Sequence, residues 1–155
     1  MQEYIRCHIV KAEPMTRAAY NNLRGFVPDE NPNEAGYRVV YPYGYEEWVQ
    51  KTRWEASSHP IDGMTFGQAI EAMKQGLKVA RKGWNGKGMY LWLMPAASVK
   101  AEWCKEPHLK ALAEQNGGEV ECLGSVRMKT ADGKVLTGWL ASQTDMLSDD
   151  WQIVE

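Results

Sequence analysis

The stretch Thr65-Phe66-Gly67-Gln68 constrains the fold more than any other part of this chain. A threonine at a helix cap accepts a hydrogen bond from the backbone N–H three residues on, and a glutamine at that position returns one, so the pattern fixes where a helix begins. From that start Phe66, Ile70, Met73 and Leu77 fall on one helical face, and Gly76 ends the run. A helix with one apolar face needs another layer to cover it. The residues beyond supply strands at 78–81 and 89–94. A hairpin of 122–129 with 135–140 follows, turning at Ala131-Asp132-Gly133, where Asp-Gly gives the positive φ that such a turn needs. Residues 101–115 read as a second helix stopped by Asn116-Gly117-Gly118, residues 142–147 as one helical turn, and 151–154 as a closing strand. The expected class is α+β, a small and mostly antiparallel sheet with packed helices.

Ahead of this lies what reads as an N-terminal α/β extension of unknown role, residues 1–60, joined through residues 57–63 (SSHPIDG) to a second domain over 64–155. Residues 5–10 read as a strand ending near Glu13-Pro14, and Thr16 caps a helix that runs to about Leu23 before Gly25 breaks it. Residues 27–36, with two prolines and several acids, read as loop; 36–41 as a strand; and 46–55 as helix, with Trp48, Val49 and Trp54 available for packing.

Charge and composition exclude several classes. A net charge of −2 gives no electrostatic reason to bind a nucleic acid or an anionic membrane. No apolar run has the length of a bilayer span, and the N-terminus lacks the basic and apolar segments of a secretory signal. Cys7, Cys104 and Cys122 are scattered, which fits a reducing cytoplasm better than a disulfide framework. Seven Trp and seven Tyr accompany two Phe, so most rings carry a polar handle suited to pockets and interfaces as well as to cores.

Two segments carry candidate chemistry. Residues 81–88 (RKGWNGKG) hold three glycines, three cations and a Trp, which lets a backbone approach a ligand closely and offers it charge and a stacking face. The spacing is not that of a P-loop, and a plain Gly-rich hairpin with solvated lysines and a core Trp fits the same residues. Residues 139–151 set Ser142, Gln143, Thr144 and Asp145 between Trp139 and Trp151, the right inventory for ribose hydroxyls and base edges. Ser142-x-x-Asp145 is equally a helix cap. Trp139 and Trp151, as strand residues beside a turn, read as core. Catalytic and metal constellations are absent as motifs: Cys104 and His108 have a metal-like spacing without paired ligands, and Asp145, Asp149 and Asp150 match no calcium loop. The expectation is therefore no catalytic residue, no metal and no cofactor.

Residues 64–76, 79–89, 128–133 and 138–151, in collinear order, resemble the phage Thoeris anti-defence sponges of the second type. Residues 1–60 read as an extension met in some phage members, and 97–124 as longer than in the most compact ones. The resemblance implies a protein that binds a cyclic nucleotide immune signal, the glycocyclic ADP-ribose of Thoeris, and leaves it intact so that the effector is starved. Some members also hold the cyclic di- or trinucleotides of CBASS at a separate site. It further implies a homotetramer with ligand sites between subunits, working in the cytoplasm of the infected bacterial host. Carried onto this chain, Trp84 would stack on adenine, Asn85, Thr130, Ser142, Gln143 and Asp145 would read ribose or base edges, Arg81 and Lys87 would meet phosphates, and Met89 would line the site. Two other classes stay open: an enzyme that modifies or degrades such a signal, and a phage structural or protein-interaction module.

Overall fold

The computed structural model of the chain describes residues 7–26 and 31–155. It divides into two compact units, Met1–Pro60 and Ile61–Glu155.

In the first unit β1 (Lys11–Thr16), β2 (Ala35–Val40) and β3 (Glu46–Gln50) form an antiparallel sheet in that order. Helix α1 (Arg17–Arg24) starts where Thr16 Oγ1 accepts from Ala19 N–H and stops at Gly25, whose φ of 68° is left-handed, so both helix signals were legible. The strand expected at 5–10 sits later: residues 7–10 are irregular, residues 5 and 6 lie outside the described part, and the ladder with β2 runs from Lys11↔Val40 to Thr16↔Ala35. Of the loop expected at 27–36, residues 27–30 lie outside the described part and Ala35 already belongs to β2. The helix expected over 46–55 needs correction, because its first half is β3 and helix α2 (Lys51–Ser57) begins only after it. The cause is tertiary. Residues Glu46 to Gln50 pair one for one with β2, Trp48 donates its indole N–H to the Met15 carbonyl (2.8 Å), and Arg38 grips Glu46 through two nitrogens. Such bonds override a weak helical preference. Gly36 is needed here, since a Cβ on it would run into the Trp48 ring.

The second unit is built on a five-stranded antiparallel sheet in the order β10-β4-β5-β8-β9. Its strands are β4 (Lys78–Arg81), β5 (Tyr90–Met94), β8 (Ser125–Lys129), β9 (Val135–Thr137) and β10 (Trp151–Val154). Helix α3 (Phe66–Lys74) opens on the capping box, with Thr65 Oγ1 accepting from Gln68 N–H and Gln68 Oε1 accepting from Thr65 N–H. It buries Ala69, Ala72 and Met73, while Phe66 and Ile70 flank them half-buried; the alanines let the helix sit close on the sheet. Beneath it lie Val79, Leu91, Met128 and Trp151, of which Trp151, Leu91 and Val79 are fully buried. Each such side chain contributes about 1.5–3 kcal/mol by leaving water. Met64 and Trp151 exchange backbone hydrogen bonds and Ile153 N–H donates to Ile61, so the unit begins beside β10 rather than at the helix.

The helix expected over 101–115 also needs correction. Residues Ala101–Trp103 form a single 3-10 turn, the chain straightens, and α4 runs over Pro107–Gln115. Pro107 cannot stand inside a helix but suits its first turn, and Glu106 caps it by accepting from the His108 and Leu109 N–H groups. Before and after this helix, β6 (Ala97–Lys100) and β7 (Glu119–Cys122) pair with each other and close a small core of Cys104, Ala113 and Val120. The strand expected at 122–129 therefore breaks at Leu123-Gly124, and the one expected at 135–140 ends at Thr137. The single turn expected at 142–147 is α5 (Gln143–Met146). Among the described residues no helix is long and apolar enough to cross a membrane.

Candidate functional site

Three loops come together at one end of the five-stranded sheet. The first, residues 82–88, leaves β4. The second is the Thr130 to Gly133 turn between β8 and β9, and the third, residues 138–150, carries α5 into β10. The first loop rests on the second at Gly86, where a Cβ would meet the Met89 sulfur and stand 3.1 Å from Ala131 Cβ. It is tied to the third at Gly83, whose N–H donates to Asp150 Oδ2 (2.8 Å). A Cβ on Gly83 would stand 2.7 Å from that same oxygen. A Cβ at either glycine would push the Asp150 or Met89 side chain aside.

Asp145 holds the first and third loops together. Its Oδ1 accepts from Arg81 Nη1 (2.9 Å) and from Trp84 Nε1 (3.0 Å), and its Oδ2 accepts from the Ser142 hydroxyl (2.7 Å) and backbone N–H (3.1 Å). Ser142 Oγ in turn caps α5 by accepting from Asp145 N–H. Arg81 completes the cluster with a two-pronged bond to Asp150, Nε to Oδ1 at 2.7 Å and Nη2 to Oδ2 at 3.3 Å. Burial opposes ionisation of Asp145, but the bonds from Ser142, Trp84 and Arg81 outweigh it and hold its carboxyl at about 2. The bond to Arg81 likewise lowers Asp150, and the bond to Asp150 foremost raises Arg81. A carboxylate with two acceptances on each oxygen has no strong acceptor position left.

The residues singled out from the sequence thus do not stand together. Arg81, Trp84, Ser142 and Asp145 are gathered into one network, with the Arg81 side chain only 11% exposed. Trp84 packs edge-on against Trp151 (5.5 Å, 77°) and Trp139 (6.2 Å, 65°), which makes it part of the core wall. Met89 packs on the same core, and Trp151 is its buried centre while Trp139 is half-buried beside it. The Thr130 hydroxyl is spent inside its turn on Asp132 and the Lys134 carbonyl. Asn85, Lys87 and Gln143 stand exposed on the loops around the network.

The sequence reading missed the second face of the sheet. Tyr90 and Trp92 alternate with buried Leu91 and so lie opposite α3; their rings are 5.7 Å apart. Directly across the ladder stand Lys129 and Arg127, and Lys129 Nζ reaches past Tyr90 to donate to the Gly88 carbonyl (2.9 Å). The usable signal was the alternation within residues 90–94, which reads as half-buried rather than buried.

Comparison with known proteins bears on the second unit. The family model described as the Thoeris anti-defense 2-like domain matches residues 64–154, which carry all three loops and the five-stranded sheet. The chain is also similar to Thoeris anti-defense 2 of Bacillus phage SP01, with 38% identity over 98 residues that span 59% of this chain and 94% of that protein.

Proposed function

The chain belongs to the Thoeris anti-defense 2-like family and is a phage anti-defence protein, and from that premise we propose that it works as a sponge. It binds the cyclic nucleotide signal of the host defence, glycocyclic ADP-ribose, in the cytoplasm of the infected cell and sequesters it without cleaving it. Cyclic di- or trinucleotides of CBASS belong to the same chemical class and are further candidates.

The observation that carries this reading is the state of the acids beside the loops. Hydrolysis or transfer needs a positioned base with a pKa near working pH, or a metal-activated water. Asp145 is held at about 2 and already accepts four hydrogen bonds, and Asp150 is bound to Arg81 and Gly83. Both favour a rigid frame over proton transfer. Asn85, Lys87 and Gln143 are exposed on the same loops and suited to ribose, base edges or phosphate, while Arg81, Trp84, Ser142 and Asp145 support the loops from within. Leu140 and Leu147, both on the third loop, are 89% and 79% exposed, which favours a second subunit covering this loop. A homotetramer with shared sites fits that exposure.

Incubation with glycocyclic ADP-ribose, followed by denaturation and chromatography of the released small molecule, tests the reading. Intact ligand recovered in proportion to protein is the expected result, while a cleaved or modified product identifies an enzyme. Failure of every cyclic nucleotide in a thermal-shift panel to raise the melting temperature points to a protein-interaction module instead.

A further inference from the structure

Arg81 is the obvious cation for a ligand phosphate, yet two carboxylates already neutralise it. The uncompensated positive charge of this unit lies elsewhere. None of the five strands of the main sheet contains an Asp or a Glu. Alternation places Val79, Leu91 and Met128 under α3 and sends Lys78, Tyr90, Trp92, Arg127 and Lys129 to the other face. There the ammonium groups of Lys78 and Lys129 stand 5.3 Å and 5.8 Å from the centre of the Tyr90 ring. Arg127 lies across from Trp92, and its Nε is buried without a hydrogen-bond partner among the described residues. A chain with a net charge of −2 thus concentrates three cations around two half-buried rings on an acid-free strip.

Packing alone explains this poorly. A cation over a ring is a favourable contact, but two at one tyrosine repel each other, and a buried guanidinium N–H left unpaired costs stability. A ligand that joins a flat ring to phosphate would resolve both, since the phosphate oxygens accept from the cations and the ring lies against Tyr90 or Trp92. The bond from Lys129 Nζ to the Gly88 carbonyl places the strip beside the end of the glycine-rich loop.

We propose that Lys78, Arg127 and Lys129 are the phosphate-binding residues of this protein and that Tyr90 and Trp92 form the ring-facing wall beside them. This inference rests on the reading of the protein as a nucleotide-binding one. It moves the phosphate from Arg81, which two carboxylates hold, to cations that face no acid on their own sheet.

Calorimetric titration of the full chain with glycocyclic ADP-ribose, and with ADP as a second probe, tests it. Arg127→Met and Lys129→Met keep the apolar stems against the rings and remove the charge. Each is expected to weaken binding about ten- to hundredfold. The ligand-free Arg127→Met protein should melt no lower than the wild type, because it loses an unpaired buried N–H; a residue with a purely structural role would show the opposite. Lys105→Met, in the segment before α4, serves as the control and should bind as the wild type does. On the wild type itself, raising salt from about 50 to about 500 mM should weaken binding about tenfold through screening of the three cations. Wild-type affinity in both variants, or affinity indifferent to salt, overturns the inference and leaves the sponge reading standing. A wild type that binds neither glycocyclic ADP-ribose nor ADP overturns both.

Discussion

Replacing Asp145 by Asn keeps the size of the side chain and removes its charge, which isolates what the carboxylate does. Its two oxygens face donors on both sides: Arg81 and Trp84 at Oδ1, and the Ser142 hydroxyl and N–H at Oδ2. An amide has one acceptor and one donor end. With its NH2 towards Arg81 and Trp84 both of those bonds are lost; with it towards Ser142 the hydroxyl can turn to accept, but the Ser142 N–H bond is lost, and in either case the remaining bonds lose charge assistance. Hydrogen bonds to charged groups contribute about 1.5–3 kcal/mol, and breaking a buried ion pair costs about 3–5 kcal/mol. Arg81 retains Asp150, so the lower end applies, and about 3 kcal/mol is the expected loss. For a unit of roughly 100 residues that lowers the melting temperature by about 10–20 °C.

The assay is thermal unfolding of ligand-free protein at neutral pH, followed by tryptophan fluorescence because Trp84 and Trp151 both bond to Asp145, one through its carboxylate and one through its carbonyl. A ligand-free variant that melts within about 2 °C of the wild type refutes the reasoning. If such a variant also loses ligand binding, Asp145 faces the ligand and the frame described above is wrong.

The same network sets an acid limit. The Asp145 carboxyl is lowered from 3.8 to about 2, so its contribution to stability is complete above about pH 4 and is lost as pH falls towards 2. Stability should hold steady from pH 7 to about 5, then fall by about 2 kcal/mol more in the wild type than in Asp145→Asn by about pH 2, read from the melting temperatures. An equal drop in both proteins removes Asp145 as the cause. A shortened chain beginning at Ile61 keeps the bonds from Ile153 to Ile61 and from Trp151 to Met64. It should fold and bind glycocyclic ADP-ribose within about tenfold of the full chain, checked by circular dichroism and calorimetry. A shortened chain that does not fold shows that residues 1–60 complete its core. Light scattering at micromolar concentration should report about four chain masses. A monomer that still binds ligand shows that the loops need no second subunit.

What the sequence made legible follows from how local each cause is. The Thr65–Gln68 capping box, the Thr16 cap and the stop at Gly25 are chemistry within three or four residues, and all three stand in the structure. The β6–β7 ladder was not legible, because its strands lie on either side of α4 and no tight turn announces their pairing. Residues 46–50 looked helical for the same reason, since a strand was legible at 36–41 but their pairing with it is known only from the fold. The site shows the limit more sharply. Ser142, Asp145, Arg81 and Trp84 were readable as ligand-facing because hydroxyl, carboxylate, guanidinium and indole suit a nucleotide. Those groups suit one another equally well, and nothing in the sequence tells that Arg81 is 2.9 Å from Asp145, 64 positions away. Charge pattern per sheet face offers a way past this. Arg81, on the same face as Val79, meets Asp145 and Asp150 of the loop that leads into β10, and Lys134 meets Asp132 of its own turn. Lys78, Arg127 and Lys129, on the opposite face of strands without acids, have no such partner on their own sheet. Their charge is left for something that arrives from outside, so in a chain of net charge −2 the place to look for an anion is the acid-free sheet rather than the loop richest in cations.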